Sequence, residues 1–161
     1  MTVLFAFEDL LKALGENPEE VQRHIKGAVV VSSAVDLEAN SKFIDNSPHK
    51  DEVLATLRIV TLKRLMTHDR NNLKQEREIL RSIATTSDWD GRYMVGPEPE
   101  SWGFTSALHY HTEASALPYV PYIQTPTLAI HSEDDTISPV KILEGDEFTG
   151  NPNITTLITD R

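Results

Sequence analysis

Three short apolar runs, set far apart along the chain, limit the possible fold more than any other feature. They are GAVVVSS (Gly27 to Ser33), TPTLAIH (Thr125 to His131) and NITTLITD (Asn153 to Asp160). GAVVVSS is uninterrupted rather than alternating, which fits a strand covered on both faces of a parallel sheet. Helical segments separate the runs, so the order is helix, strand, long helical insertion, strand, helix, strand. This alternation predicts an α/β fold with the three runs as neighbouring parallel strands in chain order.

The spacing of apolar residues also places the helices. Apolar positions that recur every three or four residues favour helices, and Asp36 is a suitable N-cap for the helix after the first strand. The stretch from Ser87 to Glu100 contains two glycines and two prolines and is expected to form turns. Helices are expected over Leu4 to Leu14, Leu54 to Met66, Leu73 to Ile83, Ser106 to Ser115 and Val140 to Phe148.

Composition excludes several classes of function. The chain of 161 residues contains no cysteine, so a disulfide, a thiolate metal site and a cysteine nucleophile are impossible. Its formal net charge of −10 disfavours binding to nucleic acid or to an anionic membrane surface. No apolar run approaches the roughly 20 residues of a transmembrane helix, and the first residues lack the basic leader of a signal peptide. We therefore expect a soluble, cytoplasmic protein.

The second apolar run ends in acidic residues. TPTLAIH continues into Ser132, Glu133, Asp134 and Asp135, and Pro139 follows after a short turn. A carboxylate at the carboxyl end of a strand is well placed to hydrogen-bond a histidine and fix its tautomer. Taken alone, the residues favour a solvated acidic turn that caps the next helix.

Three longer stretches resemble the YheT-like (embryogenesis-associated) α/β-hydrolases. LLKALGE (Leu10 to Glu16) is similar to the helix that follows the family's nucleophile, and VVVSSAVDLEANSKFID (Val29 to Asp45) is similar to its strand and lid entrance. GFTSALHYHTEASALPYVPYIQTPTLAIHSEDDTISP (Gly103 to Pro139) is similar to the family's stretch leading to the acid of the catalytic triad. His111 departs from the family, which has an aromatic residue there.

The resemblance implies a fold and a division of the chain. The fold would be a partial α/β-hydrolase, made of the last three parallel strands of the C-terminal half with a helical lid insertion. Residues 1–161 would form a single incomplete domain, with a core helix and strand in 1–35, the helical lid in 36–120 and core strands and a helix in 121–161. A three-stranded sheet with unpaired edges and one bare face also points to part of a larger domain.

The same resemblance implies a serine-type hydrolase acting on carboxylic esters or acyl lipids, without a cofactor or metal. Asp135 takes the position of the triad acid, with Asp134 and Glu133 as solvated neighbours. The sequence contains no Gly-x-Ser-x-Gly elbow; the family's serine position falls on Leu4, and no histidine follows Asp135. We therefore interpret the chain as a fragment that is inactive alone and whose partner is the missing N-terminal half of the hydrolase domain.

Two other interpretations remain open at the level of the sequence. One is a pseudo-hydrolase that acts as a binding or scaffold module, with the lid helices as its interaction surface. The other is a helical interaction protein without hydrolase ancestry, which the order of strands disfavours.

Several polar residues outside the acidic turn invite a functional interpretation. His109, His111 and Glu113 suggest a metal site, but histidines two positions apart on a helix point to different faces. Ser32 and Ser33 lack an elbow and are expected to form hydrogen bonds at a strand end.

Two further groups have a more ordinary structural explanation. His131 is expected to be a partly buried structural histidine rather than the catalytic base, because the base follows the acid in this fold. Asp88 and Asp90 are expected to cap or turn the chain.

Overall fold

The structure, a computed structural model, describes residues 8–68, 73–96 and 103–160. The strands are β1 (Ala28–Val31), β2 (Thr127–Ser132) and β3 (Ile154–Thr159). The α-helices are α1 (Glu8–Glu16), α2 (Pro18–His24), α3 (Leu37–Asp45), α4 (Lys50–His68), α5 (Leu73–Ser82), α6 (Thr86–Tyr93), α7 (Ala107–Ala114) and α8 (Asp146–Thr149). Two 3₁₀ helices cover Leu117–Tyr122 and Val140–Glu144.

The three strands form one parallel sheet in the order β1-β2-β3. Ala28 lies opposite Thr127, which in turn lies opposite Ile154. The predicted set of neighbouring parallel strands is therefore confirmed, in the predicted order. Successive strands of a sheet usually lie side by side, which is why chain order and spatial order agree. All three strands end at the same edge, so the segments that follow them meet there.

The two faces of this sheet have different surroundings. Val30 and Ala129 point into a core that also contains Leu11 and Leu14 of α1. On the opposite face the side chains of Val31 and Leu157 are 45% and 47% exposed. The expectation that β1 is covered on both faces is therefore wrong for the described residues, because the core contributed by the helices lies on one face.

The chain divides into two compact units, each with its own core. One unit, the sheet unit, comprises Met1–Asn40 and His111–Arg161, and the other, the helical unit, comprises Ser41–Tyr110. In the sheet unit, α1 packs so closely on the 3₁₀ helix Leu117–Tyr122 that a Cβ atom on Gly15 would lie 2.0 Å from the carbonyl oxygen of Tyr119.

The core of the helical unit is small. Leu54, Leu80 and Ile83 are buried there, and Trp89 and Tyr93 pack against them. Arg58 on α4 donates hydrogen bonds of 2.9 and 2.8 Å to the carbonyl oxygens of Leu80 and Ile83. These bonds satisfy backbone acceptors near the end of α5 that have no partner within the helix.

The main error in the predicted elements concerns Ser87 to Glu100. Helix α6 occupies Thr86–Tyr93 where turns were expected. The Thr85 side chain accepts the N–H of Asp88, and the Asp88 carboxylate accepts the N–H of Thr85, which makes a capping box. These reciprocal bonds start a helix that Gly91 does not interrupt, and they confirm the capping role predicted for Asp88. Residues 97–100 lie outside the described part of the chain.

Two other boundaries differ from the expected ones. The helix expected over Val140 to Phe148 is divided into a 3₁₀ helix and the single turn of α8, because Gly145 between them has an extended backbone. The first helix begins at Glu8, and the expected positions Leu4 and Phe7 lie outside the described residues. None of the described helices has the length and apolar character needed to cross a membrane.

Candidate active site

The acidic turn after β2 folds back on its own backbone. One carboxylate oxygen of Asp135, Oδ1, accepts the N–H groups of Ile137 at 2.8 Å and Ser138 at 2.9 Å. A short side chain that bonds backbone N–H groups two and three residues later is typical of Asp in turns. The carboxylate is thereby fixed just after the carboxyl end of β2.

A buried polar network holds this turn against neighbouring elements of the sheet unit. Ser138 is only 1% exposed, and its hydroxyl lies 3.0 Å from the carbonyl oxygen of Ser33 and 3.2 Å from Oδ1 of Asn40. Asn40 Nδ2, on α3, donates to the carbonyl oxygen of Ile137 at 3.0 Å. The turn is therefore tied to the segment after β1 and to α3, which limits its freedom to move.

His131 belongs to the same buried network. Its ring is 3% exposed, and Nε2 lies 2.8 Å from the carbonyl oxygen of Ser138, to which it donates. The same nitrogen is 3.8 Å from Oδ2 of Asp135. A nitrogen that donates to a backbone carbonyl cannot serve at the same time as a proton acceptor, so this geometry fits the structural role expected for His131.

The surroundings of Asp135 decide its charge. Burial acts to raise the pKa of the carboxyl group. Four other groups lower this pKa: the N–H groups of Ser138 and Ile137, the side chain of Ser32, and the imidazole of His131. The hydrogen bonds and the nearby imidazole prevail, and the pKa of Asp135 lies below its ordinary value. At neutral pH the group is therefore an ionised acceptor, the form that orients a histidine and stabilises its imidazolium.

Ser32 and Ser33 at the end of β1 have different environments. The side chain of Ser32 is one of the groups that lower the pKa of Asp135, and its backbone N–H donates to the carbonyl oxygen of Ile130 at 2.9 Å. The Ser33 hydroxyl, in contrast, is buried without a hydrogen-bond partner within the described ranges, although its carbonyl accepts from Ser138. Ser32 has no activating base in this arrangement, since the low pKa of Asp135 makes it a poor one.

The other polar residues singled out in the sequence have surroundings of their own. His111 is buried, while Nδ1 of His109 lies 3.1 Å from the backbone nitrogen of Thr105. Asp134 accepts a hydrogen bond from the hydroxyl of Ser132. Within the described ranges, no group of three or more His, Asp or Glu side chains is arranged to hold a metal ion.

Sequence reasoning missed Asn40 and Ser138. Both lie within stretches that carry the resemblance, but the two positions are 98 residues apart in the chain, and no local pattern pairs them. Only the polar character of both residues at the ends of apolar segments could have drawn attention to them.

Comparison with known proteins adds a distant relative. The chain is 27% identical over 131 residues to a monoacylglycerol lipase from Saccharomyces cerevisiae, an alignment that includes 77% of this chain and 28% of that protein. The similarity supports a relationship to the α/β-hydrolases. It does not extend to the YheT-like subfamily, and no protein-family model matches the chain. The chain thus spans little more than a quarter of the length of the curated relative it matches.

Two solved structures of esterases are similar over nearly the whole chain. One is an esterase from Thermogutta terrifontis, with a TM-score of 0.43, 12% identity, and coverage of 98% of this chain and 55% of that chain. The other is the cell-wall-degrading esterase LipA from Xanthomonas oryzae, with a TM-score of 0.48, 11% identity, and coverage of 99% and 51%.

Proposed function

We propose that the chain is the C-terminal portion of a serine-type hydrolase of carboxylic esters or acyl lipids, with Asp135 as the acid of its catalytic triad. The observation that carries the proposal is the ionised carboxylate of Asp135, fixed at the carboxyl end of β2 by two backbone N–H groups. The distant similarity to a monoacylglycerol lipase supports the substrate class.

The reaction assigns a definite task to Asp135. In a serine hydrolase, a serine oxygen attacks the ester carbonyl carbon while a histidine takes the hydroxyl proton and then returns it to the leaving alcohol. The acid accepts the other ring N–H of that histidine, which fixes the tautomer and stabilises the imidazolium. Water then cleaves the acyl-enzyme by the same proton transfers, so the products are a carboxylic acid and an alcohol. No cofactor enters these steps.

The rest of the catalytic machinery would come from another part of the hydrolase domain. This sequence contains no Gly-x-Ser-x-Gly and no histidine after Asp135, so we propose that the chain alone is inactive. Within the described ranges, β1 pairs with β2 alone and one face of the sheet is exposed at Val31 and Leu157. A further strand and a covering helix are what such a sheet needs.

The resemblance also supports proposals about the lid, the domain organisation and the subfamily of the chain. Residues 36–120 would form the helical lid over the acyl pocket, within a single incomplete domain of residues 1–161. Membership of the YheT-like subfamily and a cytoplasmic location are likewise proposed from the sequence.

The test is reconstitution of a complete site. The chain would be extended with its neighbouring reading frame, provided that this frame encodes a Gly-x-Ser-x-Gly elbow and a downstream histidine, and assayed with aryl esters and monoacylglycerols. We expect Asp135→Ala to lower turnover by about 10³-fold or more, and Asp134→Ala, in the same turn, to have little effect. An extended enzyme that keeps its activity after Asp135→Ala would refute the role of Asp135. A complete protein without esterase activity would favour the pseudo-hydrolase alternative.

A further inference from the structure

Helix α4 carries apolar residues on two sides. Its inner side packs in the core of the helical unit through Leu54, Leu57 and Leu62. On its outer side, Ile59 and Val60 are 54% and 58% exposed. Apolar residues exposed singly are common on protein surfaces, but neighbouring ones on one helix indicate a surface that contacts something.

The outer side of α4 has the spacing of a seam between paired helices. Steps of four, three and four residues separate four exposed positions, which we call the outer stripe: Glu52, Thr56, Ile59 and Lys63. Steps that alternate between three and four residues keep side chains on one line along a helix, as in coiled coils. The outer stripe therefore begins with an acid, ends with a base and has two β-branched residues between them.

The middle of the outer stripe is suited to packing. The hydroxyl of Thr56 donates to the carbonyl oxygen of Glu52 at 2.9 Å, so its polar group is occupied within the helix and its methyl group is left for contacts. Thr, Ile and Val are poor helix formers because a helix restricts their side chains. Contact with another surface would offset the cost of placing three of them at exposed positions of one helix.

The charges at the two ends of the outer stripe indicate what that other surface is. Glu52 is exposed and contacts only the edge of its own helix, where its Oε2 lies 3.2 Å from Nδ1 of His49. Two α4 helices that run in opposite directions place Glu52 of each opposite Lys63 of the other. The same arrangement places Thr56 opposite Ile59, because both pairs are centred on the same point of α4. A single twofold axis thus satisfies every pair, as an interface between identical chains requires.

We propose that the outer stripe of α4 is a self-association surface, at which two copies of the chain pair through antiparallel α4 helices. Parallel helices would place each charge opposite its own copy, which is repulsive. One helix from each chain buries less area than a standard interface, so the dimer is expected to be weak and reversible. The inference uses no residue of the acidic turn and does not depend on the proposed function.

The net charge of the chain decides the conditions of the experiment. Two chains of formal charge −10 repel each other at long range, although α4 itself has four Lys or Arg and only two Asp or Glu. At about 0.15 M salt, charges more than about 8 Å apart are largely screened, whereas close pairs are screened less. Sedimentation of the 161-residue chain in such a buffer, at concentrations from about 5 µM to 500 µM, should therefore show dimers at the upper end.

Reversal of either charge tests the register of the pairing. Glu52→Lys and Lys63→Glu each place like charges opposite each other at both ends of the seam, and each should weaken dimerisation about tenfold or more. In an equimolar mixture, one variant supplies two lysines and the other two glutamates, so opposite charges face each other again at both ends. The mixture should therefore associate as strongly as the natural chain does.

Two further variants keep this test decisive. Ile59→Glu removes the apolar centre of the outer stripe and supplies a better helix former, so it should remain folded and monomeric. Glu78→Lys is the matched control, because it makes the same charge change as Glu52→Lys at an exposed position of α5. It should leave dimerisation unchanged, and circular dichroism checks that every variant is folded.

Each outcome either supports or overturns the inference. Dimers lost in the two charge variants and restored in their mixture would support it, whatever the esterase assays show. A natural chain that stays monomeric over the whole range of concentrations would overturn it. A dimer that survives Ile59→Glu would lie on another surface, such as the exposed face of the sheet, and would overturn it as well.

Discussion

The hydroxyl of Ser138 lies 3.0 Å from the carbonyl oxygen of Ser33. This contact joins the turn that carries Asp135 to the segment that follows β1, and it is buried. Because the N–H of Ser138 also bonds the Asp135 carboxylate, one residue both fixes the acid and attaches its turn to the sheet unit.

Removal of that hydroxyl should loosen the turn. We expect Ser138→Ala to lower the free energy of unfolding by about 1 kcal/mol, because it removes a buried hydroxyl whose one hydrogen is shared between the carbonyl oxygen of Ser33 and Oδ1 of Asn40. Urea unfolding followed by circular dichroism measures the change. Ser82→Ala, on the exposed side of α5, is the control and should change stability by less than about 0.5 kcal/mol. Equal effects of the two substitutions would contradict this role for Ser138.

The charge of Asp135 should make part of the stability depend on pH. Its pKa in the folded chain lies below the ordinary value of about 3.9, so the unfolded chain binds more protons in acid. The stabilisation is therefore complete above the ordinary pKa and is lost as pH falls through the folded pKa. We expect Asp135→Asn to be less stable than the natural chain by about 1–2 kcal/mol at neutral pH, with the difference shrinking in acid. Urea unfolding over a pH series would show it, and a difference that stays constant with pH would contradict the prediction.

Substitution of Gly15 tests how closely α1 packs on the 3₁₀ helix Leu117–Tyr122. A Cβ there would lie 2.0 Å from the carbonyl oxygen of Tyr119, and that backbone cannot give way cheaply. We expect Gly15→Ala to destabilise the chain by about 3 kcal/mol or more. Gly27→Ala is the control: its Cβ would lie 3.6 Å from the nearest oxygen, that of Pro126, an ordinary contact. Thermal unfolding of the two variants, scanned side by side, should give a large loss only for Gly15→Ala.

Tyr93, in the helical unit, should lose its phenolic proton at a higher pH than an ordinary tyrosine does. Burial, followed by the charge of Glu76 and its hydrogen bond with the phenol, raises the pKa of Tyr93 to about 12, from 10.0. Stabilisation by the protonated phenol is therefore complete below pH 10 and is lost as pH rises through about 12. The tyrosinate absorbance of the natural chain minus that of Tyr93→Phe should rise near pH 12. A difference curve centred at the ordinary value would contradict the buried contact with Glu76.

The isolated chain should not behave as an esterase. Without the elbow serine or a histidine after Asp135, we expect no hydrolysis of aryl or acyl esters above that of an unrelated protein, and no labelling by a fluorophosphonate probe. Asp135→Ala should accordingly change no rate in this chain. Stoichiometric labelling that disappears in Ser32→Ala or Ser33→Ala would instead reveal a nucleophile at the end of β1.

Sequence alone determined the elements whose signals are local. The apolar runs at β1, β2 and β3 and the helical spacing in α4 and α5 follow from patterns that repeat within a few residues. The parallel order of the strands then followed from general rules of chain connection, which need no side-chain detail. Helix α6 was not predicted, because Gly91 favours a turn. The capping box at the start of α6 stabilises the helix more than Gly91 destabilises it, and composition does not reveal this balance.

The sequence predicted only part of the candidate site. Asp135 was proposed as the acid from the resemblance, and that was possible because the strand, the acid and its turn are contiguous in the chain. The contacts that hold its turn in place are not contiguous: Ser138 contacts Ser33 across 105 positions, and Asn40 contacts Ile137 across 97. Those pairings exist because the strand ends converge at one edge of the sheet. Only the tertiary structure therefore decided how the turn that carries the acid is held.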